Sequence, residues 1–129
     1  MTHEQFFQSV IGRPYRLGAS GPDEFDCWGL VRHYYRALRG TSLPVVDAER
    51  TLAIARAFNG DPERANWLEV ERPAEGDAVL MGQAKRAHHV GLWLGGGVLH
   101  AVDGAGVIYT TAAMLRLGGW NVIGYYRHP

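Results

Sequence analysis

The hydrophobic period changes once along this chain, and that change limits the folds open to it. Before residue 60 the apolar side chains recur at helical spacing, first as Phe6, Phe7, Val10 and Ile11, then as Leu30, Val31, Tyr34, Tyr35 and Leu38. From Trp67 onward, short apolar or alternating runs separated by glycines take over. Thr2 with Gln5 three residues later reads as a capping box for the first helix. The second helix opens behind Asp26 and stops at Gly40. A third, capped by Asp47, would carry Leu52, Ile54, Ala55 and Phe58 and end at Asn59-Gly60. Strands are expected at Trp67–Val70, Asp77–Met81, His89–Leu94, Val98–Val102, Gly106–Thr110 and Asn121–Tyr126. Helices first and strands after predict one α+β domain over residues 1–129, with N-terminal helices packed on an antiparallel β-meander sheet.

Charge and composition narrow the partners. Thirteen Lys and Arg balance thirteen Asp and Glu. A chain without net charge exerts no long-range pull on nucleic acid or anionic lipid, so neither is an expected partner. No apolar run approaches the ~18 residues of a membrane-spanning helix, so no membrane insertion is expected. The opening Met1-Thr2-His3-Glu4-Gln5 lacks the basic flank and apolar run of a signal peptide. Synthesis in the cytoplasm, with any export by another route, is the expectation. One cysteine cannot make an internal disulfide.

That cysteine is placed where it can be reactive. Cys27 follows the capping Asp26 at the start of the second helix, where backbone N–H groups and the helix dipole favour an anion. A thiol there is expected to ionise below its usual ~8.5. Two histidines follow on consecutive strands, in His89-Val90-Gly91-Leu92-Trp93 and Leu99-His100-Ala101. If Gly95-Gly96 is a two-residue turn, Leu94 pairs with Gly97 and Trp93 with Val98, and His89 and His100 share a face, with Gly91 leaving space beside them. A three-residue loop would put the histidines on opposite faces. The set then suits nucleophilic catalysis: Cys27 attacks, His89 takes its proton, His100 fixes the tautomer of His89, and N–H groups at the helix start receive the oxyanion. Each residue alone has a plainer reading. Cys27 would be a small buried apolar group, His100 a hydrogen-bonded strand residue and His88 a solvent-facing one. Tyr15, Trp28 and Trp93 would be packing, and Asp26 a helix cap. A zinc site of Cys27, His89 and His100 is a competing reading, though the paired ligand spacing usual for zinc is missing; no metal or cofactor is expected.

These motifs together resemble a known family. Phe25-Asp26-Cys27-Trp28-Gly29-Leu30-Val31, Glu75-Gly76-Asp77, His89-Val90-Gly91-Leu92-Trp93 and Leu99-His100-Ala101 are similar to the NlpC family of papain-like cell-wall peptidases, and Arg13-Pro14-Tyr15-Arg16-Leu17-Gly18 matches its upstream loop. The resemblance implies a papain-like fold, hydrolysis of peptidoglycan stem peptides at a γ-D-glutamyl–diamino acid bond, and Cys27, His89 and His100 as the catalytic set. Tyr15, Asp26 and Trp28 are then the expected substrate or oxyanion contacts. An amidase with the same thiol, or a non-catalytic assembly module of the same fold, are the alternatives. The family's common form has serine after the cysteine; Trp28 resembles the subgroup carried by phage tails and phage-like particles. That resemblance implies particle proteins as partners and action at the cell wall after delivery.

Overall fold

The computed structural model describes residues 1–49, 53–59, 67–83 and 88–129. Along them run α1 (His3–Val10), α2 (Cys27–Arg39), α3 (Ala53–Asn59), β1 (Leu68–Val70), β2 (Ala78–Gly82), β3 (His89–Leu94), β4 (Gly97–Val102), β5 (Gly106–Thr111), α4 (Ala112–Leu115) and β6 (Asn121–Arg127). The first two helices end where their capping chemistry sits. Gln5 N–H donates to Thr2 Oγ1 at 3.1 Å while Thr2 N–H donates to Gln5 Oε1 at 2.8 Å, the reciprocal pair expected at α1. Asp26 Oδ1 accepts Gly29 N–H at 2.6 Å at the head of α2, and Gly40 closes it in the left-handed region. Asp47 does not act as a visible helix cap; its Oδ1 accepts Glu49 N–H at 3.1 Å, a local side-chain turn. Leu52 and Gly60, expected within and after the third helix, lie outside the described residues.

All six strands are antiparallel in the order β1-β6-β2-β3-β4-β5. Strands β2 to β5 form the expected meander, but the whole sheet does not, because β6 returns between β1 and β2. The short helix α4, which hydrophobic period did not announce, redirects the chain after β5. Its return covers an edge of β2 that would otherwise present unpaired backbone groups. Arg127 on β6 then grips the buried Asp77 ahead of β2 with two hydrogen bonds of 3.0 and 2.9 Å. Asp77 also accepts Ala74 N–H at 2.7 Å, so the carboxylate is fully engaged.

The two sheet faces have different cores. Ala78, Leu80, Val90, Leu92, Leu94, Leu99 and Ala101 face Phe6, Leu30, Val31, Tyr34 and Tyr35 of the helices, with α2 laid on β3 and β4. Each such valine or leucine side chain contributes about 1.5–3 kcal/mol of burial. On the other face Val79, Met81 and Val98 pack with Leu115 of α4, bordered by Trp93, Trp120 and Tyr125. The start of α2 and the start of β3 are thereby brought to one end of the sheet.

Candidate active site

The approach to α2 is a tightly folded loop. Phe25 N–H donates to Pro14 O at 3.1 Å and Arg16 N–H to Phe25 O at 3.0 Å, while Asp26 N–H donates to Ala19 O at 2.9 Å. Asp26 completes the tie: besides capping α2 with Oδ1, it accepts Gly18 N–H on Oδ2 at 2.7 Å. The loop lies so close to the helix that a Cβ on Gly29 would stand 1.9 Å from Ala19 O. This packing carries Tyr15 to the rim of a cleft of about 410 Å³, whose lining includes Tyr15, Cys27, Glu49, His88, His89 and Trp120.

The hairpin delivers the histidines. Gly95 and Gly96 both take positive φ, as a two-residue turn requires. The ladder pairs Leu94 with Gly97, Trp93 with Val98 and Leu92 with Leu99, the register expected from an even loop. His89 and His100 consequently meet, with His89 Nε2 2.8 Å from His100 Nδ1. His100 is fully buried, and its Nε2 lies 2.9 Å from Thr110 Oγ1 on β5. His89 lines the cleft beside Cys27, and its Nδ1 is the ring nitrogen left over by the contact with His100. Gly91 does not open a space here: a Cβ at that position would lie 2.3 Å from Val98 Cγ1 and 3.0 Å from His100 Cβ, so the neighbours fill it.

Burial dominates the electrostatics. It pushes the Cys27 thiol up to about 12, and the adjacent Asp26 carboxylate adds to the rise. The N–H groups of Val90, Trp28 and Cys27 act the other way and are outweighed. The sequence expectation of a lowered thiol is therefore corrected: Cys27 is only 4% exposed, and removing the thiolate from water costs more than the helix start returns. Burial likewise lowers His89 to about 3, with His100 contributing, and lowers His100 to about 4. The resting pair is a thiol and a neutral imidazole. The Tyr15 hydroxyl is raised by burial and by Cys27, so it stays protonated and can donate.

Two of the expected substrate contacts are placed elsewhere. The Trp28 side chain is 1% exposed and donates from Nε1 to Pro44 O at 2.7 Å. Its indole packs edge-on against Phe58 and near Trp67, away from the cleft, because α2 turns that position into the aromatic core. Asp26 is 3% exposed with a backbone N–H on each oxygen, which makes it a cap and loop tie, not an open receiver for an amine. His88, read as solvent-facing, lines the cleft instead, and its Nδ1 is buried without a hydrogen-bond partner among the described residues. Trp120 and Thr110 escaped the sequence reading. Trp120 stacks on His89 with ring centroids 4.4 Å apart and meets His100 edge-on at 5.7 Å. A tryptophan after two glycines carries no pattern that would signal this. Cys27, His89 and His100 do not gather as metal ligands, since the two imidazoles spend facing nitrogens on each other; among the described residues no three His, Cys, Asp or Glu side chains form such a group.

Helices α1 and α2 laid on one face of an antiparallel sheet, with the cysteine at the start of α2 beside it, define a papain-like fold. The chain belongs to the NlpC/P60 family, whose family model matches residues 12–117. It is 38% identical over 97 residues to a probable endopeptidase of Corynebacterium glutamicum, covering 74% of this chain and 40% of that protein. It is 30% identical over 127 residues to the bifunctional muramidase/DL-endopeptidase CwlT of Bacillus subtilis, covering 90% and 34%. The chain thus spans less than half the length of these curated relatives. The fold is similar to the NlpC/p60 domain of the peptidoglycan hydrolase SagA, with a TM-score of 0.62 at 21% identity over 98% of this chain and 94% of that one. It is also similar to NlpC1 from Trichomonas vaginalis, with a TM-score of 0.66 at 23% identity over 96% and 42%.

Proposed function

We propose that this chain is a peptidoglycan endopeptidase that cleaves the γ-D-glutamyl–diamino acid bond of wall stem peptides by acyl transfer to Cys27. The observation that carries the reading is the 2.8 Å contact between His89 Nε2 and His100 Nδ1 at the edge of a cleft shared with Cys27. It leaves His89 Nδ1 to take the thiol proton. Membership of the NlpC/P60 family and the endopeptidase names of the relatives support the substrate class.

In this reading the Cys27 proton passes to His89 Nδ1 as the sulfur attacks the γ-carbonyl carbon. The resulting oxyanion faces the N–H groups at the head of α2, where Gly29 N–H is held by Asp26 and those of Cys27 and Trp28 lie against the sulfur. Tyr15 adds a hydroxyl donor at the rim. His89 returns the proton to the nitrogen of the departing diamino acid, leaving a thioester. A water then gives its proton to His89, attacks the thioester carbon, and the thiol is restored as the D-glutamyl acid leaves.

Mass spectrometry of digested muropeptides tests the assignment. Wild type should give a fragment ending in D-glutamate and a partner with a new diamino acid amine. Cys27→Ala and His89→Ala should each lower turnover on the order of a thousandfold or more, because the two act as a unit; His100→Asn should retain more. Release of L-alanine from the lactyl group would make the enzyme an amidase, and a folded wild type without any product would favour an assembly module. Delivery on a phage-like particle, after synthesis in the cytoplasm, is the route we propose from the tryptophan that follows the cysteine. Immunodetection of the chain in purified particles tests it, and its absence there would remove that route while leaving the chemistry untouched.

A further inference from the structure

We infer that Thr110 is a positioning residue of this site, whose hydroxyl closes the hydrogen-bond chain that lets His89 carry a proton. The inference rests on the thiol-hydrolase reading above. When His89 has taken the Cys27 proton, both of its ring nitrogens bear hydrogen, so Nε2–H must donate to His100 Nδ1 across the 2.8 Å contact. His100 Nδ1 is then an acceptor, and its own proton must sit on Nε2. That N–H is buried with the rest of the ring and needs an acceptor. Thr110 Oγ1 stands 2.9 Å away. The same orientation holds at rest, because a His89 ready to take the proton on Nδ1 already carries its hydrogen on Nε2, so Thr110 accepts in both states. A charge on His89 strengthens each bond of that chain, so the hydroxyl matters more in the charged state than at rest, which is the condition for an effect on kcat.

The fold fixes this contact from outside the cleft. Thr110 sits on β5 opposite Val98 on β4, half-buried, and is not part of the cleft lining. Removing its hydroxyl should leave substrate binding alone. Thr110→Val keeps the shape and deletes the acceptor, leaving an unpaired buried N–H beside a developing charge.

The test combines kinetics on soluble muropeptides with nitrogen-15 NMR of the histidine rings in the full chain. Thr110→Val should lower kcat about ten- to a hundredfold with KM within about twofold of wild type. Thr110→Ser should recover kcat to within a few-fold. In wild type the His100 ring should show hydrogen on Nε2 and none on Nδ1, and Thr110→Val should disturb that pattern. A wild-type kcat in Thr110→Val, an equal loss in Thr110→Ser, or hydrogen on His100 Nδ1 in wild type would each overturn the inference. Should Thr110→Val fail to fold, the wild-type spectrum and Thr110→Ser decide it. If wild type cleaves no muropeptide, the functional reading fails by itself, while the ring spectrum still reports whether the chain ends on Thr110.

Discussion

Alkylation of Cys27 by iodoacetamide, followed against pH, measures how the buried site holds its proton. With the thiol pushed to about 12, the thiolate fraction at pH 7.5 is about three in a hundred thousand. An unperturbed thiol of pKa ~8.5 would be about one tenth ionised. Transfer of the proton to His89 does not rescue the anion, because the burial that raises the thiol also lowers the imidazole, and both shifts favour the neutral pair. Mutual attraction of a contact ion pair recovers ~4 kcal/mol at an effective dielectric of 20, about three powers of ten. Burial opposes both charges, so the neutral pair is the resting state. The logarithm of the alkylation rate should therefore climb with unit slope through about pH 9.5 without a plateau, and His89→Ala should not move the profile. Denatured protein, levelling near its ordinary ~8.5, is the control, and comparing slopes removes the effect of restricted access to a buried sulfur. A plateau with a midpoint below pH 8 that shifts upward in His89→Ala would refute the reasoning and establish a resting ion pair.

The same burial makes the fold acid-sensitive. His89 and His100 titrate near 3 and 4 when folded but near 6.5 when unfolded, so below pH 6.5 the unfolded chain binds more protons and stability falls. At ~1.36 kcal/mol per pH unit and histidine, the pair should cost on the order of 5 kcal/mol by pH 4.5. Asp26, raised by burial, acts with the opposite sign and offsets a part. Urea unfolding at pH 7 and 4.5 reads this directly, and equal stabilities would exclude a buried neutral pair. Gly29→Ala tests the loop packing that brings Tyr15 to the cleft. A Cβ 1.9 Å from the Ala19 carbonyl must push backbone apart, so a loss of about 3 kcal/mol, the upper end for overpacking, is expected in the thermal midpoint. An unchanged midpoint would mean that loop and helix are not in register as described.

Local chemistry was legible wherever a few adjacent residues settle it. The Thr2–Gln5 capping box, the Asp26 cap and the Gly95-Gly96 turn are short-range devices, and the turn alone determined that His89 and His100 share a face. The insertion of β6 between β1 and β2 was not legible, because strand order depends on which exposed edge needs covering and not on the strand's own alternation. Side-chain direction failed for the same reason. Trp28 adjoins Cys27 in sequence, yet successive helical residues point about 100° apart, so the thiol reaches the cleft while the indole enters the core. Trp120 and Thr110 come from the chain's last third and reach the histidines only through the sheet.

The error about the thiol is the more instructive one. A helix start does favour an anion, by about 0.3–1 kcal/mol at exposed positions and up to ~2 when partly buried. The sequence shows that contribution and hides the opposing one, since burial of Cys27 is created by β3, the segment near Ala48 and the loop carrying Tyr15. Desolvation of a charge outweighs the helix start several times over. In the proposed mechanism such a site separates charge only while a substrate carbonyl is there to accept the electrons and the histidine chain is there to spread the proton. The thiol is then spared from oxidants and stray electrophiles between turnovers, because the thiolate is the form they attack. On that mechanism the reactivity of Cys27 belongs to the assembled cleft, with substrate in place, and not to the helix start alone.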